Sequence, residues 1–428
     1  MERDYKDSNI NWVGKIPQNW NVLRNKNTFT YGKDYVGGNS SSTQLLSLTT
    51  KGIRTIKQSE TSGKVPESYD TYQIVRPNNL VMCLFDLDCS AVFAGISKFN
   101  GMISPAYKVL SCKSCMIPQY ANYWFIYVFE GRKFMHYSKN IRYSLTYEEF
   151  SSLKIVVPPV VEQQRIADYL DRKCTEIDRL IALQEEMIEQ LTDYKQSVIT
   201  EAVTKGINPD AQLVPSGIEW IGDIPKGWDI VKLSLLTTKI GSGSTPTGGA
   251  SVYVNEGVKF LRSQNVYFEG LDLSDVAHIT DEIDEEMKGT RVIPGDVLIN
   301  ITGGSIGRCY FVDNTLGRAN VNQHVSIIRP YKISTHYLKY YLQSFVGQLQ
   351  VSLLQNGGNR EGLSAAALSN FKILLPTKDV QQSIASYLDI KCSEIDELIA
   401  MKQKKIDTLT DYKKSVIYET VTGKSNID

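Results

Sequence analysis

The chain has 428 residues, more than the ~100 to 200 of an ordinary single core, which excludes one small module and predicts two or three domains. It is 42% hydrophobic and 22% charged, as expected of a folded soluble chain, and it has no run of roughly 18 apolar residues that could span a bilayer. Lys plus Arg and Asp plus Glu both number 47, so net charge alone neither demands nor excludes a polyanionic partner.

The amino terminus, MERDYKDSNI, lacks the apolar stretch of a secretory signal. The seven cysteines (Cys83, Cys89, Cys112, Cys115, Cys174, Cys309, Cys392) are odd in number and scattered, which points to free thiols in a reducing cytoplasm. A front box, NWVGKIPQNW, occupies 11 to 20. The residues from about 17 to 158 read as a mixed α/β globule, with strands at TQLLSLTT (43 to 50), NNLVMCLF (78 to 85) and AYKVLS (106 to 111) and a helix near PQYANYWFIYVFEG (118 to 131). After Pro158-Pro159 a stretch free of Gly and Pro runs to Gly206 and predicts one long helix over about 162 to 204. Leu170, Ile177, Leu191 and Val198 lie on a seven-residue grid, with Cys174, Ile181 and Ile188 in a second row four residues later.

The same order then returns. The box EWIGDIPKGW at 219 to 228 sets Trp220 and Trp228 against Trp12 and Trp20. The second middle, about 217 to 376, carries strands at VKFLRSQNVYF (258 to 268), GDVLINITGG (295 to 304) and HVSIIRP (324 to 330), and a helical stretch at STHYLKYYLQSFVG (334 to 347). A second helix over about 380 to 422 repeats both rows in Leu388, Ile395, Leu409 and Val416 and in Cys392, Ile399 and Ile406. Stretches 163 to 204 and 381 to 422 share 27 of 42 residues, whereas the middles barely align. Each helix, at ~1.5 Å per residue, is about 65 Å long and outruns any single core, so its stripe predicts burial against the other copy as a two-helix coiled coil. Gln184 and Lys402 interrupt the two stripes at one level, either as a solvated gap or as a layer that fixes register.

Catalytic motifs are sparse. GSGSTPTGGA (241 to 250) has no Lys-Ser or Lys-Thr behind its glycines and is not a phosphate loop. The four histidines (His136, His278, His324, His336) have no partner at i+4, and Cys112-Lys-Ser-Cys115 has no second ligand pair, so a structural thiol pair is expected and no metal. The acidic run DEIDEE (281 to 286) reads as a solvated loop, and no G-x-S-x-G elbow occurs.

Charge by region is more telling: 17 to 158 holds 16 basic against 9 acidic residues, 217 to 376 holds 14 against 15, and 159 to 206 holds 6 against 10. A basic first globule suits DNA phosphates, and base edges are read by Arg, Asn, Gln, Ser and Thr. Candidate DNA-contacting residues are Ser47, Thr49, Lys51 and Arg54 in SLTTKGIR, Tyr107 and Arg142 in the first globule, and Thr245, Arg262, Gln264, Asn265, Asn320, Asn322, Gln323 and Arg360 in the second. Arg142 precedes Arg360 by one repeat of 218 residues.

The front boxes, the GSGSTP and LRSQNV phrases, GDVLINITGGSIGR, and the endings PPVVEQQRIADYLDRK and PTKDVQQSIASYLDIK make the chain resemble, over nearly its whole length, the DNA-specificity subunit of a type I restriction-modification system. The resemblance implies an α+β chain of two mixed α/β target-recognition domains in tandem, each followed by a long helix, the two helices pairing as an antiparallel coiled coil. The boundaries expected are 1–158 and 207–376 for the recognition domains, 159–206 and 377–424 for the spacer helices, and 425–428 for a tail. It further implies a noncatalytic chain that reads a bipartite, asymmetric site in double-stranded DNA and docks two methyltransferase and two motor-nuclease restriction subunits. S-adenosylmethionine, ATP and Mg are then expected on those partners, with no cofactor on this chain. The second globule departs from the pattern in having no basic surplus. A free-standing DNA-binding regulator and a coiled-coil scaffold for other proteins remain open as alternatives, separated from the first reading by salt-dependent DNA binding and by a methyltransferase partner.

Overall fold

The computed structural model describes residues 4–32, 34–57, 67–90, 92–138, 143–355 and 362–427. The chain divides into two compact units, one of residues 1–185 with 404–428 and the other of residues 186–403. Each unit therefore joins an α/β globule to one half of each of two long helices, Val160–Lys205 and Lys378–Val421.

In the first unit, strands Phe29–Tyr31, Lys108–Cys112, Leu80–Met82 and Ala94–Ile96 form an antiparallel sheet in that order. Helix Pro118–Glu130 starts with proline at its first position, where the missing N–H costs nothing, and buries Tyr120, Ala121, Trp124, Phe125 and Val128 at i, i+3 and i+4 spacing. These side chains meet Phe29, Phe150, Ile155 and Val156 in one core. The second unit repeats the plan with strands Thr237–Ser242, Val325–Pro330, Val297–Asn300 and Cys309–Phe311. It adds a sheet of Ala277–Ile279, Val258–Leu261 and Ala319–Val321, whose last pairing is parallel. The middles, barely alignable as sequence, thus share a sheet order.

Two elements end earlier than their sequence runs suggest. The strand beginning at Val258 stops at Leu261 because the Asn265 side chain accepts from the Arg262 N–H at 2.9 Å and the Asn265 N–H returns to the Arg262 carbonyl at 2.8 Å, closing a tight turn. The stretch from 334 to 347 divides into helices Thr335–Gln343 and Phe345–Leu354, because the Ser344 hydroxyl caps the second of them by accepting from the Gly347 N–H.

The long helices pair within each unit, and antiparallel. In the first unit Ile166, Leu170 and Cys174 near the start of one helix share a core with Val416, Ile417 and Val421 near the end of the other. In the second, Ile199, Ala202 and Val203 meet Ile384, Leu388 and Cys392. The expected packing residues Leu170, Ile177, Leu388, Ile395 and Val416 are buried, and Ile181, Ile188, Leu191, Val198, Ile399, Ile406 and Leu409 are half-buried. Gln184 is only 5% exposed, so the polar interruption of the first stripe is packed rather than solvated.

Polar contacts that recur in the two units fix the same arrangement twice. The Tyr120 hydroxyl lies 3.0 Å from the Val156 carbonyl and 3.3 Å from that of Val421; the Tyr337 hydroxyl lies 2.9 Å from Leu374 and 3.3 Å from Val203. Tyr123 donates to Asp171 at 2.7 Å and Tyr340 to Asp389 at 2.6 Å, and in both cases burial, reinforced by the carboxylate, pushes the phenol pKa up. Gln163 and Gln381 each accept a backbone N–H, from Ile117 and from Ser334, and each donates to the carbonyl of a proline before its helix. Lys413 pairs with Asp178 at 2.6 Å and Lys195 with Asp396 at 2.7 Å. Such partly exposed pairs contribute only ~0.2–1 kcal/mol and serve register more than stability.

The front boxes close the ends of the helices. Gly423 (φ 72°) ends the second helix with its N–H bonded to Thr420 and the Lys424 N–H bonded to Glu419, a Schellman pattern, and a Cβ at Gly423 would run into the Pro17 ring and lie 3.0 Å from the Trp20 ring. Gly206 (φ 77°) ends the first helix against Trp228, 3.3 Å from where its Cβ would be. The left-handed φ alone costs a non-glycine residue about 1–2 kcal/mol. Gly423→Ala is therefore expected to lower the thermal midpoint clearly more than Gly206→Ala does, because only the first also displaces a proline ring. Equal midpoints for the two variants and the parent would contradict this account of the caps.

Candidate nucleic-acid interface

At one end of the second unit's four-stranded sheet, sequence phrases far apart in the chain converge. Strand Val297–Asn300 continues into Ile301 and Thr302, where the Ile301 N–H bonds to the His324 carbonyl at 2.9 Å and the Asn300 N–H to the Arg308 carbonyl at 2.8 Å. The Asn300 side chain donates to the Ser263 carbonyl at 2.7 Å and so ties the LRSQNV turn to this edge. On the other side lies the GSGSTP loop: the Gly243 N–H bonds to the Val325 carbonyl at 2.9 Å and the Ser244 N–H to that of Val321 at 3.2 Å. A Cβ at Gly243 would collide with the Val321 carbonyl, so only glycine allows this approach.

Of the predicted readers here, the structure leaves some at the surface and takes others into the interior. Gln323 and Thr245 are exposed, and the Thr245 hydroxyl donates to Gln323 Oε1. Gln323 Nε2 lies 2.9 Å from His324 Nε2, and His324 Nδ1 lies 2.6 Å from Thr302 Oγ1, which makes a chain of four polar side chains. Gln264 is exposed and donates to Asp275 Oδ2 at 2.7 Å. Arg262 is half-buried and donates to the Asp275 carbonyl at 2.7 Å. Arg308 stands over the Tyr267 ring, 4.9 Å from its centroid.

Three of the expected readers are buried. Asn265 is 1% exposed and its amide donates to the carbonyls of Asp272 and Asp275, so it builds the turn instead of facing solvent. Asn320 is 0% exposed: its Nδ2 donates to Asp284 at 3.1 Å and to the Met287 carbonyl at 3.2 Å, and its Oδ1 accepts from Thr290 at 2.6 Å. Asn322 is 8% exposed and accepts the His324 N–H. Asparagines in a polar phrase look alike in sequence; only burial separates a fold-holding amide from an available one.

The acidic run is likewise not a solvated loop. It forms the short helix Asp281–Glu286, capped by Thr280, and buries Asp284 to 1% exposure. Arg291 and Arg318 pair with Asp284 at 2.8 and 2.7 Å, and they also engage Glu285 and Asp281 respectively. Burial works to raise the Asp284 carboxyl, but hydrogen bonds from Arg318 and Asn320 and the charge of Arg291 outweigh it and hold the pKa below its ordinary value. These partners are 7 to 36 residues away in sequence and carry no periodic signal, so the sequence did not reveal them.

In the first unit, Ser47 and Arg54 stand opposite each other on the hairpin Leu46–Thr49 and Gly52–Thr55. The Thr49 hydroxyl donates to the Gly52 carbonyl at 2.7 Å and accepts from the Lys51 N–H at 3.2 Å, shaping a turn that leaves Lys51 and Arg54 exposed. Tyr107 is half-buried with its ring 5.8 Å from Phe85, and burial raises its hydroxyl pKa. Arg142 and Arg360 lie outside the described residues. The cysteines are free; burial, with the charge of Cys115 adding to it, pushes the half-buried Cys112 thiol up to about 12 and keeps it protonated.

The family model described as type I restriction modification DNA specificity domain matches residues 2–193 and 225–410, one copy on each repeat, and the chain belongs to that family. Among curated relatives, the type I restriction enzyme MjaVIII specificity subunit of Methanocaldococcus jannaschii is 29% identical over 65% of this chain, which spans 63% of that relative's length. The putative MjaX specificity subunit of the same organism is 24% identical over 99% of this chain and 98% of its own. A solved chain from work on complex assembly and conformational transition of the type I R-M system shares the fold, with a TM-score of 0.69 at 14% identity over 95% of this chain and 98% of that one. Within its family the chain has the place of a specificity subunit, not of a catalytic one.

The Asp284 network yields a pH-dependent prediction. A carboxyl whose folded pKa lies below its unfolded value of ~3.9 stabilises fully above that value, and the contribution is lost as pH falls through the folded value. Asp284→Asn is expected to lower the melting temperature at pH 7, with the deficit relative to the parent shrinking below pH ~4. Asn320→Ala, which orphans buried groups, is expected to cost about 1–3 kcal/mol at pH 7. A pH-independent deficit for Asp284→Asn in thermal melts would show that the pair contributes shape and not charge.

Proposed function

We propose that this chain is the DNA-reading subunit of a type I restriction-modification assembly, each unit recognising one half of a bipartite, asymmetric site in double-stranded DNA. The observation that carries the reading is one frame built twice beneath unlike surfaces. The Tyr-Asp, Tyr-carbonyl, Gln and Lys-Asp contacts recur in both units, whereas the first unit presents a Lys51–Arg54 hairpin and the second a Thr245–Gln323 edge. A duplicated frame suits two copies of one partner; unlike edges suit two different half-sites.

Exposed apolar side chains on the helices support the docking side of this reading. The first unit exposes Leu180, Leu183 and Tyr412 at 40, 44 and 52%, and the second exposes their repeat counterparts Leu398, Met401 and Tyr194 at 41, 58 and 57%. Unpaired apolar surface repeated in this way fits two methyltransferase subunits. Two motor-nuclease restriction subunits complete the assembly. S-adenosylmethionine, ATP and Mg belong to those partners, and the work is cytoplasmic. Among the described residues no helix is long and apolar enough to cross a membrane.

The test uses the complete system in a host, with methylated adenines read genome-wide. The parent is expected to mark one bipartite motif, and the purified chain alone to transfer no methyl group. One heptad inserted in each long helix, near Gln184 and near Lys402, adds about 10 Å of helix while keeping the stripes in phase, and is expected to widen the gap between unchanged half-sites by about three base pairs. An active insertion variant with an unaltered gap would show that other subunits fix the spacing.

A further inference from the structure

Four side chains from three separate phrases meet at the exposed edge of the second unit, and their hydrogen bonds leave a defined remainder. Gln323 is exposed, yet both atoms of its amide are held. Oε1 accepts from the Thr245 hydroxyl, and Nε2 donates to His324 Nε2, whose ring is oriented in turn by Thr302 at 2.6 Å. An amide has two acceptor sites on oxygen and two N–H donors. After these bonds Gln323 retains one acceptor site and one donor on a side chain that no longer rotates freely.

That remainder is selective. In the major groove adenine offers an acceptor at N7 and a donor at its 6-amino group, the complement of a free amide edge, whereas guanine offers two acceptors and would set its O6 against Oε1. Holding the amide beforehand also removes the rotamer entropy that a free glutamine would lose on contact. The neighbouring amides do not share the arrangement: Asn265, Asn320 and Asn322 are buried, and Gln264 is anchored by a bond from Nε2 to Asp275.

We infer that Gln323 reads an adenine in the half-site recognised by the second unit, and that Thr245 and His324 are positioning residues that aim its amide. This rests on the DNA-reading function proposed above and narrows it to one base and one side chain. Loss of a bidentate contact of this kind relaxes discrimination about 10- to 100-fold at one position. Thr245→Val, which keeps the shape and removes the hydroxyl, should relax the same position less, and Thr245→Ser should retain parental discrimination.

The experiment reads methylated motifs genome-wide for the parent and for Gln323→Ala, Thr245→Val and Thr245→Ser in the complete system, together with binding of each purified assembly to duplexes substituted at every motif position. The inference is supported if Gln323→Ala relaxes one A·T position in one half-site, leaves the other half-site intact, and Thr245→Val weakens that same position while Thr245→Ser does not. It is overturned if the relaxed position is G·C, if discrimination is unchanged, or if binding falls equally on all duplexes, which would make Gln323 a loop support. Should Gln323→Ala fail to assemble, the Thr245 pair decides: no difference between valine and serine overturns the inference. A parent that marks no bipartite motif refutes the function proposed above; a bipartite parental motif that Gln323→Ala leaves intact refutes this inference alone.

Discussion

The structure depends on one constraint: two helices of 46 and 44 residues carry apolar stripes longer than any globule of this size can cover. Each stripe is covered in part by a globule and in part by the other helix, and because the helices run antiparallel, every globule meets the start of one and the end of the other. The core of the first unit therefore contains Val416, Ile417 and Val421 from the far end of the sequence, and that of the second contains Ile199, Ala202 and Val203. Neither globule is simply a bead before its own helix. The front boxes follow from this, since Trp20 and Trp228 are the lids against which the two helix ends, Gly423 and Gly206, are closed.

Burial separates the frame from the candidate readers. The frame contacts lie on helices and in cores, where tyrosine hydroxyls and glutamine amides are buried and satisfied. The candidate reading groups lie at strand ends and turns, where side chains can be exchanged without repacking the interior. The second unit adds a layer of its own: the Asp284, Arg291, Arg318 and Asn320 network neutralises cations that would otherwise be free to meet phosphate. Two of its basic side chains, Arg291 and Arg318, are thus already paired with a carboxylate of the fold.

What could be read from the sequence was what repeats. Leu170, Ile177, Leu388 and Ile395 reveal their burial by spacing alone, and the paired tryptophans of the front boxes mark equivalent positions in the two repeats. The candidate site was legible as phrases but not as side chains. LRSQNV and ANVNQH lie close together in the fold, yet composition cannot tell Asn320, enclosed by Asp284, Met287 and Thr290, from Gln323 three residues on. Nor could it show that Thr245 reaches Gln323 across 78 residues, because that contact depends on the close backbone approach that Gly243 permits. The acidic run misled for a similar reason: its charge pattern is that of a solvated segment, and nothing in it marks Asp284 as the one carboxylate held inside by Arg291 and Arg318.

The central claim is that a common frame carries two independent readers. It is tested most directly by replacing residues 237–330, the strands and loops of the second unit's sheets, with the corresponding segment of another family member, and reading the methylated motif of the complete system. The account predicts that one half-site changes to that of the donor, while the other half-site and the gap stay as they were. A hybrid in which both half-sites change together would contradict it.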